Sequence, residues 1–158
     1  MRSDTFWAAV RAAEAFIEQA NKSENIMREN AEFMSTKRPW EVVDKLEWQL
    51  TDMTKSACRA RLFDRLLPRL LETLEGSAPY VKKGVTVDQA LGTWCADTAN
   101  NLCKMLNEQA ARCLGHSTSA SERFVHLCDL EVMGDIMDSH WGILDHINRI
   151  MEVHNAEA

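Results

Sequence analysis

Residues 86–115 read TVDQALGTWCADTANNLCKMLNEQAARCLG, and this stretch decides the fold. Thr86 followed by Gln89 has the pattern of a capping box, in which each side chain satisfies an otherwise orphaned N–H of the first helical turn. Behind that start, Val87, Leu91, Trp94, Leu102 and Met105 fall on one helical face. Gly115 supplies the stop, because glycine accepts the left-handed backbone that closes a helix. One capped, amphipathic helix of roughly 30 residues spans about 45 Å and cannot be stable alone with one apolar face. It needs partners of similar length.

The flanking sequence offers them. Upstream, Pro39 suits the first position of a helix. Val43, Leu46, Leu50, Met53 and Ala57 mark its first apolar face. From Leu62 onward the apolar set is Phe63, Leu66, Leu67, Leu70 and Leu74, turned by about a third of a turn from the first. Pro68 removes a backbone donor, so a kink or break is expected between Cys58 and Pro68, with Gly76 ending the helix and a loop over 77–85. Earlier still, Ser3 or Asp4 caps a helix to Ser35 with Phe6, Val10, Ala13, Ile17, Ala20, Met27, Ala31 and Met34 inward. Downstream, Ser119 and Glu122 repeat the capping box, and Met133, Ile136, Met137, Ile143, Leu144, Ile147, Ile150 and Met151 carry a fourth helix almost to the C-terminus. His140 falls on that stripe, opposite Trp94–Thr98.

Strand-like alternation, repeats and low-complexity tracts are absent. The expectation is an all-α, antiparallel four-helix bundle with a kinked or broken second helix, as one domain over residues 1–158. The chain is 46% apolar and carries a net charge of −6, which excludes intrinsic disorder and argues against general affinity for nucleic acid or anionic membrane. Its longest apolar runs are too short to span a bilayer. Five cysteines without framework-like spacing read as reduced thiols of a cytoplasmic protein.

Motifs for chemistry are sparse. Phosphate loops, HExxH and nucleophile elbows are missing, so no catalytic residue, metal or cofactor is assigned. Cys113, His116, His126 and Cys128 have ligand chemistry for zinc, but His126 and Cys128 project about 200° apart on one helix. Glu131, Asp135, Asp138 and Asp145 form a carboxylate ladder like those holding magnesium in all-α nucleotide pyrophosphatases, yet it lies opposite the apolar stripe, where a solvated face belongs. Arg149 and His154 fit the Arg-x4-His spacing of HEPN ribonucleases, a coincidence this composition produces by chance. Glu24 and Asp129 fall at similar levels of the expected bundle, with His126 beside Asp129. They define an alternative reading, a metal-dependent hydrolase with its site inside the bundle.

Charge is more informative. Between Lys55 and Lys83 lie seven basic residues, Lys55, Arg59, Arg61, Arg65, Arg69, Lys82 and Lys83, against Asp64, Glu72 and Glu75. Trp48 points almost opposite the Val43–Met53 stripe, and Tyr80 sits in the following loop. Exposed aromatics beside arginines are the composition of protein interfaces. The leading expectation is therefore a non-enzymatic interaction module, an adaptor or inhibitor of a larger complex, of the kind frequent among phage-encoded inhibitors by analogy of class. Its partner is another protein rather than nucleic acid, and the Leu62–Leu74 face is expected to pair with a second copy as a homodimer.

Overall fold

Capping decides where the helices begin. The computed structural model of the chain describes residues 2–42, 46–77, 84–115, 119–138 and 142–157. Every regular element among them is helical: α1 (Asp4–Thr36), the single turn α2 (Pro39–Val42), α3 (Leu46–Glu75), α4 (Val87–Cys113), α5 (Ala120–Asp138) and α6 (Ile143–Glu157). Ser3 accepts from the Phe6 N–H and Thr86–Gln89 form both bonds of the capping box. Ser119 accepts from the Glu122 N–H at 3.3 Å. Gly76 takes φ +78°, and the Ser77 N–H reaches the Glu72 carbonyl at 2.9 Å, closing α3 as a glycine-capped helix should.

Two expectations change. The fourth helix is divided, with α5 packing on α3 and α4 while α6 packs on α1 and α4. Five helices of fifteen residues or more therefore stand where four were expected. In addition, α3 continues as helix through Pro68 instead of breaking before it. Pro68 is exposed, so the carbonyl it leaves without an N–H partner faces solvent, the least costly position for such a loss.

The core face of α1 overlaps the one the spacing suggested at Ala13 and Ala20 but is turned from it. Ala8, Ala9, Ala12, Ala13, Phe16 and Ala20 are buried, whereas Ile17 is exposed and Phe6 and Val10 only half-buried. The inward face is rotated by about 70° from the expected stripe. Small alanines let α3 and α6 approach α1 closely, which a stripe of large side chains would prevent. Helices α4 and α6 keep the expected faces: Leu91, Trp94, Leu102, Ile143, Ile147 and Ile150 are all buried.

Near α1's start, the ends of three helices are tied together. Ser3 donates to Asp88 Oδ1 at 2.7 Å, and the Glu157 carboxylate accepts from Thr5 Oγ1 at 2.6 Å and from the Asp4 N–H at 2.7 Å. An acceptor from α6 thus satisfies orphan donors of α1, and its negative charge sits at the positive end of that helix. Towards the other end the α1–α3 contact becomes polar. Ser23, Asn30, Gln49 and Ser56 are buried there, and Asn30 donates to Asp52 at 2.7 Å.

Candidate protein-docking site

Polar residues fill the α1–α3 seam, so the apolar side chains beside it have nowhere to bury. Leu50, Met53 and Ala57, read from spacing as the core face of helix two, instead line an open groove with Met27 of α1 and Val125 of α5. The groove holds about 470 Å³, and Leu50 remains 44% exposed. Trp48, on the other side of α3, is 65% exposed, and Trp40 on α2 is exposed as well. Leu114, Phe124 and Leu127 add exposed apolar surface around α5.

Helical periodicity spreads the basic residues of α3 over an arc of about 160°, with Arg61, Arg65 and Arg69 at steps of four along one side. Lys55 pairs with Glu131 at 2.8 Å, a contact that raises its pKa. Arg59 turns to a separate cleft of about 650 Å³ floored by Phe16, Phe63 and Ile143. Arg61 reaches Asp129 Oδ2 at 3.2 Å, and Arg69 pairs with Glu72 one turn on. Arg65 is exposed and forms no ion pair among the described residues. Trp48 is about 20 Å along the helix from Arg61, so the two belong to different parts of the surface. Tyr80, Lys82 and Lys83 lie outside the described residues, as do His116 and His140.

Arg61 and Arg65 meet residues that the charge run did not reveal. They line a pocket of about 150 Å³ with Gln109 and Arg112 of α4 and His126 and Asp129 of α5. Asp129 Oδ2 accepts from Gln109 Nε2 at 2.6 Å as well as from Arg61, while Gln109 Oε1 is buried without a hydrogen-bond partner among the described residues. The position of Arg112 was accessible in principle: it lies three residues before Gly115, near the same turn that leads to His126.

The metal and acid–base alternatives are less well assembled. His126 and Asp129 share this pocket, but Glu24 is exposed on α1 and does not line it. Among the described residues, no three His, Cys, Asp or Glu side chains converge as a metal site would require. In the outer ladder, Glu131 and Asp145 are paired with Lys55 and Arg149. The five cysteines are unbridged, and burial pushes the Cys58 thiol up to about 11 and that of Cys95 to about 12. Thiols held protonated in this way are poor nucleophiles.

Much of the Leu62–Leu74 segment packs inside the chain. Leu62, Phe63 and Leu70 are buried within the chain, with Leu66, Leu67 and Leu74 packed against the same core. Leu71, in the same segment but outside that stripe, is exposed. No helix among the described residues is long and apolar enough to cross a membrane. Comparison with known proteins finds no matching family model, curated protein or solved structure.

Proposed function

We propose that this protein is a non-enzymatic interaction module, an adaptor or inhibitor that docks on another protein. Its frame is read as a four-arm antiparallel bundle in which α5 and α6 share the fourth arm and Pro68 bends the third helix. The observation carrying the functional reading is the unburied apolar surface of the α1–α3 end. Leu50 and Trp48 project to opposite sides of α3, and a methionine-lined groove runs beside Leu50. Tryptophan, methionine and arginine are the side chains enriched at protein interfaces, and a groove between helices suits an inserted partner segment. A cytoplasmic setting agrees with the unpaired thiols.

The test is affinity purification from the native host using the wild-type chain and a Trp48→Ala/Leu50→Glu/Arg65→Glu variant. Arg61 is left intact because it holds Asp129. All three replaced residues are exposed, so circular dichroism and thermal unfolding should match wild type while the specific partner is lost. A partner recovered in equal yield with the folded variant refutes the assigned surface. The hydrolase alternative predicts stoichiometric metal in the purified protein, or a thermal shift on adding Mg²⁺, Mn²⁺ or Zn²⁺.

A further inference from the structure

The apolar groove and the arginine-lined pocket adjoin each other, since Cys58, Arg61 and Val125 line both. The joined surface is apolar at Met27, Leu50 and Met53 and cationic at Arg65 and Arg112. Three guanidinium groups line the pocket against one carboxylate, Asp129, which Arg61 and Gln109 already engage. Arg65 and Arg112 have no ion pair among the described residues. The unmet charge is therefore positive, within reach of an apolar channel. At the same site, Gln109 Oε1 is a buried acceptor lacking a donor.

We infer that groove and pocket together dock an acidic amphipathic segment of a partner protein. Its apolar side chains fill the groove past Leu50 and Met53, and its carboxylate ends between Arg65 and Arg112. This deepens the interaction-module reading and rests on it. Charge complementarity selects the occupant: a carboxylate answers the two unpaired guanidinium groups with charge-assisted, geometrically matched bonds.

The experiment is selection from a random peptide library displayed against the full chain, followed by affinity measurement on synthetic peptides. Selected peptides should carry apolar residues followed by Asp or Glu. Their affinity should fall about tenfold or more in an Arg65→Ser/Arg112→Ser variant, and with Gln in place of the acidic residue. Both arginines are exposed, so unchanged thermal unfolding of the variant separates this loss from misfolding. Leu50→Glu should abolish binding of the same peptides. Inorganic phosphate at matched ionic strength should compete only weakly.

Four results overturn the inference: no peptide selected, a consensus lacking an acidic residue, affinity unchanged by the arginine substitutions, or phosphate alone binding as tightly as the peptides. Dimerisation by light scattering that Leu50→Glu abolishes would instead make a second copy the occupant. Failure of these peptides with the native partner still captured through Trp48 overturns the segment alone. Recovery of no specific partner with the wild-type chain overturns the broader reading.

Discussion

Replacing Asp129 should weaken the fold and, at the proposed docking site, strengthen peptide binding at once. Its side chain is 16% exposed and accepts two hydrogen bonds, at 2.6 Å from Gln109 and 3.2 Å from Arg61. The Gln109 bond is short, partly buried and charge-assisted, so its loss costs about 1.5–3 kcal/mol. The Arg61 pair contributes less, because that guanidinium is 52% exposed and solvent screens it to about 1 kcal/mol or below. Asp129→Ala should therefore destabilise by about 2–3 kcal/mol, leaving both polar ends of Gln109 without a partner. For a chain of this size that is a drop of roughly 6–10 °C in Tm. Asp129→Asn keeps an acceptor for Gln109 and should cost about 1 kcal/mol. Either variant removes the one carboxylate in the pocket, so an acidic peptide should bind about two- to fivefold more tightly. Urea unfolding and calorimetric titration on the same samples measure the two effects. Unchanged stability in Asp129→Ala would refute the assigned network, and weaker peptide binding by the folded Asp129→Asn variant would refute the pocket's electrostatics.

Three further outcomes are expected. Burial and nearby Arg149 hold the His146 imidazole below its ordinary 6.5, so the unfolded chain binds the proton more readily and stability falls as pH drops below about 6.5 until the folded group also titrates; His146→Leu should flatten that part of the pH profile in urea titrations. Hydrogen bonds from Thr5 and Asp4 hold Glu157 below its ordinary 4.5, so its contribution is present above that pH and disappears as pH falls through the folded value, and Glu157→Gln should remove that part of the acid limb. Ser56→Ala, which deletes a buried hydroxyl without a partner among the described residues, should leave stability unchanged or raise it by about 1 kcal/mol, whereas a loss above about 1 kcal/mol would show that the hydroxyl is satisfied in solution.

The helical class and most helix ends were legible because they depend on local chemistry. Capping at Ser3, Thr86 and Ser119 and the glycine stop at Gly76 each involve residues within one turn. The inward faces of α4 and α6 were also legible, since large apolar side chains repeat there without competition. On α1 the same rule misled, because it weighs Ile17 and Met27 above alanine while the packed core selects alanine for close approach. The site was harder still. Trp48 was placed away from the stripe and is exposed, and the steps of four set Arg61 and Arg65 on one side of α3, where both line one pocket, whereas Lys55 and Arg59 lie further round the helix. Arg112 joins Arg61 and Arg65 only through tertiary packing of α4 and α5 on α3.

The misread stripe on α3 also explains why the apolar groove, the proposed docking surface, is where it is. A row of Leu50, Met53 and Ala57 would ordinarily turn inward and drive the α1–α3 contact. Here Ser23, Asn30, Gln49 and Ser56 take the inward positions. Turning the apolar row inward would expose that polar row, but among the described residues of the seam only Ser23 and Asn30 have bonds that hold their polar atoms in place. Hydrophobic burial alone would therefore favour rotating α3. The opposing force lies further along the same helix, where Leu62, Phe63 and Leu70 are fixed in the core by α1, α4 and α5. Because α3 is continuous through Pro68, the rotation that seats those residues also sets the orientation of Leu50 and Met53. About 5–6 turns of helix separate Leu50 from Leu70, so the packed end dictates the open one. The apolar groove is thus maintained by core packing at a distance, and a partner segment can fill it without any rearrangement of the helix that presents it.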